Sequence, residues 1–225
     1  LGGHDPYSAS KAGCELVAHS WRRSFLAASE VRLATARAGN VIGGGDWSED
    51  RILPDLARAF ALGRPLPVRN RHAVRPWQHV LDPLSGYLQL AERLAGPEGG
   101  QVPESFNFGP EPADQRSVGQ LVTEAQTRWP GNWQDATDPT APHEAGRLAL
   151  SIERARSVLG WQPRWDFAEA VTRTVLEMDK SEDGRALLKH TDLVQPVRAS
   201  YARDYQPLEQ LGLEKYAVPT HLEDR

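Results

Sequence analysis

Tyr7 and Lys11 stand four residues apart in Asp5-Pro6-Tyr7-Ser8-Ala9-Ser10-Lys11. That spacing puts a phenol and an ammonium on one face of a helix. Asp5 reads as its N-cap and Pro6 as the first helical residue, where a missing N–H costs nothing. An ammonium beside a phenol favours the phenolate, so the pair is a candidate general base for a sugar or alcohol hydroxyl. Alone, Tyr-x-x-x-Lys matches many ordinary exposed helix faces, and its meaning depends on what surrounds it.

A second group is cationic. Arg69 and Arg71 follow a short strand candidate, and Arg75 opens Arg75-Pro76-Trp77-Gln78-His79-Val80. Arginine presents a planar fork of donors suited to phosphate oxygens. In a chain of net charge −4, several arginines around one extended segment suggest a local phosphate site, with a solvated loop and surface ion pairs as the plain alternative. Trp77 and His79 alternate as inward residues of that segment. His4, His19, His72, His79 and His143 are scattered, so neither metal-ligand spacing nor a Ser-His-Asp arrangement can be read, and no metal is expected.

The elements that must position these groups follow from periodicity. The helix opening at Pro6 is predicted to reach about Ala28, with Ala12, Leu16, Val17, His19 and Phe25 on its inner face. Val31 to Asn40 reads as a buried strand running into Gly39-Asn40-Val41-Ile42-Gly43-Gly44-Gly45-Asp46, a glycine-rich turn of the kind that brings backbone close to a ligand. Ile52, Leu53, Leu56, Phe60 and Ala61 repeat at helical spacing up to Gly63. Leu66 to Val68, Val74 to Leu81 and Phe106 to Gly109 read as extended. Helices are predicted from Asp82-Pro83 to about Leu94, after Ser117, in a short piece from Ser151 to near Gly160, and from Phe167 to Met178. Trp129 to Ala145 reads as irregular and Arg147 to Leu150 as a short strand; the periodicity fades after about Lys180, and Arg185 to Arg225 reads as a polar tail with a short helix at Leu208 to Leu213. Alternating strands and helices make the fold α/β.

With 225 residues, 40% apolar and 25% charged, the composition is that of a soluble globular protein. The charge argues against nucleic-acid binding, and neither a membrane-length apolar stretch nor a signal segment is present. Cys14 is the single cysteine; it reads as a small buried helix residue in a cytoplasmic protein. No Gly-x-Gly-x-x-Gly occurs in the 225 residues.

Tyr7-Ser8-Ala9-Ser10-Lys11, Arg37-Ala38-Gly39-Asn40-Val41-Ile42-Gly43 and Leu159-Gly160-Trp161-Gln162-Pro163-Arg164-Trp165 together resemble the extended short-chain dehydrogenases that act on nucleotide sugars. Within them, Gly43-Gly44-Gly45-Asp46-Trp47, Asp50-Arg51-Ile52-Leu53-Pro54-Asp55 and the Arg69-to-Leu81 segment look like the 4,6-dehydratases whose substrate is CDP-glucose. The resemblance covers about residues 1–180. It implies NAD as cofactor, oxidation at C4 of the glucose, loss of water across C5 and C6, and return of hydride to C6. Carried onto this chain, Tyr7 is the base, and Lys11 assists it and holds the nicotinamide ribose. Asn40 faces the sugar-diphosphate, Arg51 and Arg75 hold the diphosphate, and Arg69 and Asn70 lie near the nucleotide end.

The same resemblance divides the chain. Residues 1–63 are the C-terminal part of a Rossmann-type doubly wound parallel sheet. Residues 64–182 are mainly a smaller mixed α/β substrate-binding lobe that returns to that sheet, and residues 183–225 are a tail of open role. It also implies a homo-oligomer formed through the Tyr7 helix in full-length relatives. The chain begins with Leu1, and the relatives' glycine-rich cofactor loop and elimination residues precede the tyrosine, so a fragment inactive alone is expected. A sugar-nucleotide epimerase fragment and a non-catalytic interaction module are the other readings.

Overall fold

The Asp5 carboxylate accepts the Ser8 N–H at 2.9 Å, and with Pro6 at the first helical position it starts helix α1, Pro6–Ser24. In chain order there follow β1 (Thr35–Ala38), β2 (Asn40–Ile42), α2 (Ile52–Ala61), β3 (Leu66–Val68), β4 (Val74–Arg75), β5 (Trp77–His79), α3 (Leu81–Ala95), β6 (Ser105–Phe108), β7 (Arg116–Ser117), α4 (Val118–Gln126), β8 (Trp133–Asp135) and α5 (Phe167–Asp179). This computed structural model describes residues 5–138 and 146–179. The predicted helix at Leu208 to Leu213 lies outside the described residues.

The extended run after α1 changes partners at Gly39. Before it β1 lies parallel to β6, and after it β2 lies parallel to β5. A Cβ on Gly39 would stand 2.6 Å from Cγ of Pro76, so only glycine fits where the chain crosses that neighbour. Parallel pairing requires crossovers, and α2 and α3 supply them. β3 pairs in parallel with β8, while β4 and β7 pair antiparallel. This is the α/β architecture with parallel strands that the alternation of elements predicts.

Two apolar clusters form. Leu53, Leu56, Phe60, Leu121, Val171 and Val175 centre one, between α2, α4 and α5. Phe106, Phe108, Ile152 and Trp161 centre the other, beneath α3. The Leu-Gly-Trp segment thus serves packing. Trp161 meets Phe108 edge-on with centroids 5.0 Å apart, and its Nε1–H donates to Ser85 Oγ at 3.0 Å. Among the described residues no helix is long and apolar enough to cross a membrane.

Five expectations are corrected. Helix α1 stops short of Ala28, because Ser29 Oγ donates to the Leu26 carbonyl and accepts the Val31 N–H, a local turn that competes with helix. Its expected inner face is not inner: Leu16, Val17 and Phe25 are exposed, and α1 buries no residue. Cys14 is exposed as well. Finally, residues 133–135 within the run expected to be irregular form β8, whereas Arg147 contributes only a single bridge to Val74. The pairing of β8 with β3 is long-range and has no local signature.

Candidate functional site

A cavity of about 740 Å³ opens where β2, β4, α2 and the start of α1 converge. Tyr7, Asn40, Arg51, Arg69, Asn70 and Arg75 all line it. Local rules explain how each is held. Tyr7 sits in the first turn of α1 just after the Asp5 cap. Asn40 begins β2, opposite Trp77 of β5, rather than lying within the glycine turn as its neighbours suggest. Arg51 precedes the first residue of α2 with extended backbone. Asn70 Oδ1 accepts the Ala73 N–H at 3.1 Å, closing the loop that carries Arg69. Arg75 is buried in β4 and donates to the Val74 carbonyl at 3.0 Å.

Lys11 is absent from the cavity lining. Its Nζ stands 5.5 Å from the centroid of the Tyr7 ring, and both side chains are exposed. Arg71 departs from the expected arginine cluster. It pairs with Asp135 of β8 at 3.7 Å, donates from Nε to His72 Nε2 at 3.0 Å, and lines a second cavity with Arg116 and Trp133. The turn at Arg71 and His72 carries it away from Arg69, and β8 was the missing partner.

Three carboxylates that spacing did not single out share the cavity: Asp46, Asp50 and Asp55. Asp50 adopts φ 60° and pairs with Arg69 at 3.1 Å, a left-handed backbone that aspartate tolerates better than most residues. Burial pushes the Asp55 carboxyl above the usual aspartate value of 3.8, and the Arg58 guanidinium opposes that shift. The glycine turn itself is closed by the Asp46 N–H donating to the Gly43 carbonyl at 3.3 Å. Among the described residues no group of three or more His, Cys, Asp or Glu is placed to hold a metal ion.

Residues 2–109 match the family model described as NAD dependent epimerase/dehydratase family. Over 181 residues the chain is 45% identical to the CDP-glucose 4,6-dehydratase of Salmonella typhimurium, a match covering 78% of this chain and 50% of that one. It is 32% identical over 186 residues to the dTDP-glucose 4,6-dehydratase of Streptomyces antibioticus, covering 81% and 50%. Among solved structures, dTDP-glucose 4,6-dehydratase from Bacillus anthracis in complex with NAD is similar with a TM-score of 0.68 at 22% identity, covering 83% of this chain and 56% of that chain. At that identity the likeness is one of fold, and it is Rossmann-like. The chain spans about half the length of the relatives it matches.

Proposed function

From the match of residues 2–109 to the NAD dependent epimerase/dehydratase family model, we propose that the chain forms the sugar-nucleotide-binding part of a 4,6-dehydratase acting on CDP-glucose. The supporting observation is the convergence of Tyr7, Asn40, Arg51, Arg69, Asn70 and Arg75 on one cavity. Its volume falls within the range of about 300–1,000 Å³ usual for small-ligand sites. Three guanidinium groups on its walls suit a diphosphate, each able to donate in a planar fork to two oxygens.

In this reading Arg51 and Arg75 hold the diphosphate, Arg69 and Asn70 lie toward the nucleoside, and Asn40 orients the sugar. Tyr7 removes the proton of the sugar hydroxyl. Lys11 stands beside the ring, where its ammonium offsets the negative charge that develops on the phenol oxygen as the proton leaves. Residues 1–63 belong to the Rossmann-type sheet and residues 64–182 mainly to the substrate lobe.

The same Tyr7–Lys11 pair fits the ribose and nicotinamide end of NAD, since a phenol and an ammonium side by side can hydrogen-bond ribose hydroxyls. When bound, NAD supplies the hydride acceptor and donor. Tyr7 is 70% exposed, and the 225 residues contain no Gly-x-Gly-x-x-Gly to cradle a pyrophosphate. The chain by itself therefore takes up the nucleotide sugar without turning it over.

Calorimetric titration of CDP-glucose, CDP and dTDP-glucose into the purified chain, with and without NAD, tests this. The CDP compounds are expected to bind selectively. Arg75→Ala should weaken them by about 10- to 100-fold, in keeping with a hydrogen bond to a charged group. Failure of all three ligands to bind would sink the assignment. Turnover of CDP-glucose by this chain alone would overturn the claim that it binds without reacting.

A further inference from the structure

Helix α5 buries Ala170, Val171, Thr174, Val175 and Met178 against the core. Glu177 lies beside that stripe, and its carboxylate reaches inward. One oxygen, Oε2, accepts the Gly44 N–H at 2.7 Å, and Oε1 lies 3.6 Å from Nε2 of His79. His79 is only 1% exposed. Its Nδ1 accepts the Leu81 N–H at 3.3 Å, which places the ring proton on Nε2, facing Glu177. That Nε2 has no hydrogen-bond partner within 3.5 Å among the described residues, so the carboxylate is the group it addresses. The imidazole is steadied from behind by Trp165, whose ring stands edge-on at 4.7 Å, and the Arg173 guanidinium covers Trp165 at 4.1 Å.

A half-buried carboxylate is costly unless its oxygens are met by donors. An apolar residue at position 177 would extend the stripe without that cost. Here the carboxylate ties the last helix to the backbone of the glycine turn. The fit leaves no slack, because a Cβ on Gly44 would stand 2.1 Å from Cβ of Glu177. Gly43 and Asp46, on either side of this contact, both line the cavity, as does the strand Asn40–Ile42 that leads into it.

We infer that Glu177, backed by His79, is a positioning residue for the sugar-nucleotide site. It sets the height of the Gly43–Asp46 turn, and through that turn the wall of the cavity that carries Asn40. The inference rests on the proposed function for the identity of the ligand only; the contact with Gly44 stands apart from it.

The purified 225-residue chain can be compared with Glu177→Ala and Glu177→Gln. Glutamine keeps an acceptor for the Gly44 N–H, and alanine removes it. Glu177→Ala should weaken CDP-glucose on the order of tenfold, as expected when one wall of a site loses its geometry. Glu177→Gln should recover most of that loss. Hydrogen exchange of the segment 42–47 should accelerate in Glu177→Ala and return toward the wild-type rate in Glu177→Gln, while the amides of α4 are unchanged. Wild-type affinity in a folded Glu177→Ala chain would overturn the positioning role, even if its melting temperature fell. If the wild type binds no nucleotide, the functional reading fails, and exchange at 42–47 still decides the contact: a rate unmoved by either substitution overturns it.

Discussion

Helices α1 and α5 both contribute to the lining of one cavity, Tyr7 from one and Met178 from the other, and they are seated by opposite means. Helix α5 sinks an apolar stripe into the larger core, and Asp166 caps its start by accepting the Glu169 N–H at 2.8 Å. Helix α1 buries nothing and is tethered by polar side chains. Arg22 donates to the carbonyls of Leu33 and Val102, both at 2.9 Å, Glu15 accepts from Thr35 Oγ1 at 2.8 Å, and His19 meets Glu104 at 3.0 Å. Its apolar side chains Val17, Trp21 and Phe25 face outward. Burial of a large side chain is worth several times an exposed polar contact, so the wall carrying Tyr7 is the softer one.

The contrast can be attacked from its strong side first. Phe167→Ala, at the start of α5, should cost roughly 3–5 kcal/mol in urea unfolding, as truncation of a buried aromatic does; a loss below about 1 kcal/mol would mean that α5 is not seated as described. Arg22→Ala removes two hydrogen bonds from a charged donor, worth roughly 1.5–3 kcal/mol each where buried and less here because the guanidinium is partly exposed. Its signature should be local, with fast exchange of α1 amides and unchanged protection in α5. Equal loss in both helices would erase the distinction.

Acid offers a third test. The hydrogen bond from His19, aided by the charge of Arg22, holds the Glu104 carboxyl below the usual glutamate value of 4.5. A lowered folded value means the tether is fully present above the ordinary value and lost as pH falls through the lowered one. Asp55 on the α2 wall has the opposite sign. Its raised carboxyl favours the folded state below 3.8, and that contribution fades as pH rises through the raised value. Exchange measured from pH 6 downward should therefore loosen α1 before α2, and His19→Gln should flatten the α1 response. The smallest effect is expected at Trp21, which is 52% exposed. Trp21→Ala should change stability by no more than about 0.5 kcal/mol. A cost near that of Phe167→Ala would show that the outward stripe of α1 is covered in solution.

Much of the frame was legible because it obeys short-range rules. The Asp5 and Pro6 start of α1 was readable, and so was the Ser117 cap of α4, where Ser117 and Gln120 exchange hydrogen bonds at 2.9 and 3.2 Å. Gly63 and Gly160, with φ 62° and 68°, were readable as stops because glycine alone enters that region freely. The periodic stripes of α2, α4 and α5 needed only a repeat near 3.6. Most of the candidate site was nameable for a related reason: Tyr7, Lys11, Asn40, Arg51, Arg69, Asn70 and Arg75 lie in motifs whose order along the chain is distinctive. Arg71 was not separable from Arg69, since both are exposed arginines in one loop and only the pairing of β8 with β3 parts them.

The sequence by itself determined most element types, the main caps and which side chains have the chemistry to bind a diphosphate or move a proton, because those properties belong to residue chemistry and to neighbours a few positions away. Tertiary structure alone decided that α1 shows its apolar side chains outward, that six of the seven candidates share one cavity, and that Glu177 closes on Gly44 across 133 positions. These depend on which distant surfaces meet, and a side chain's partners across the fold leave no periodicity in the chain.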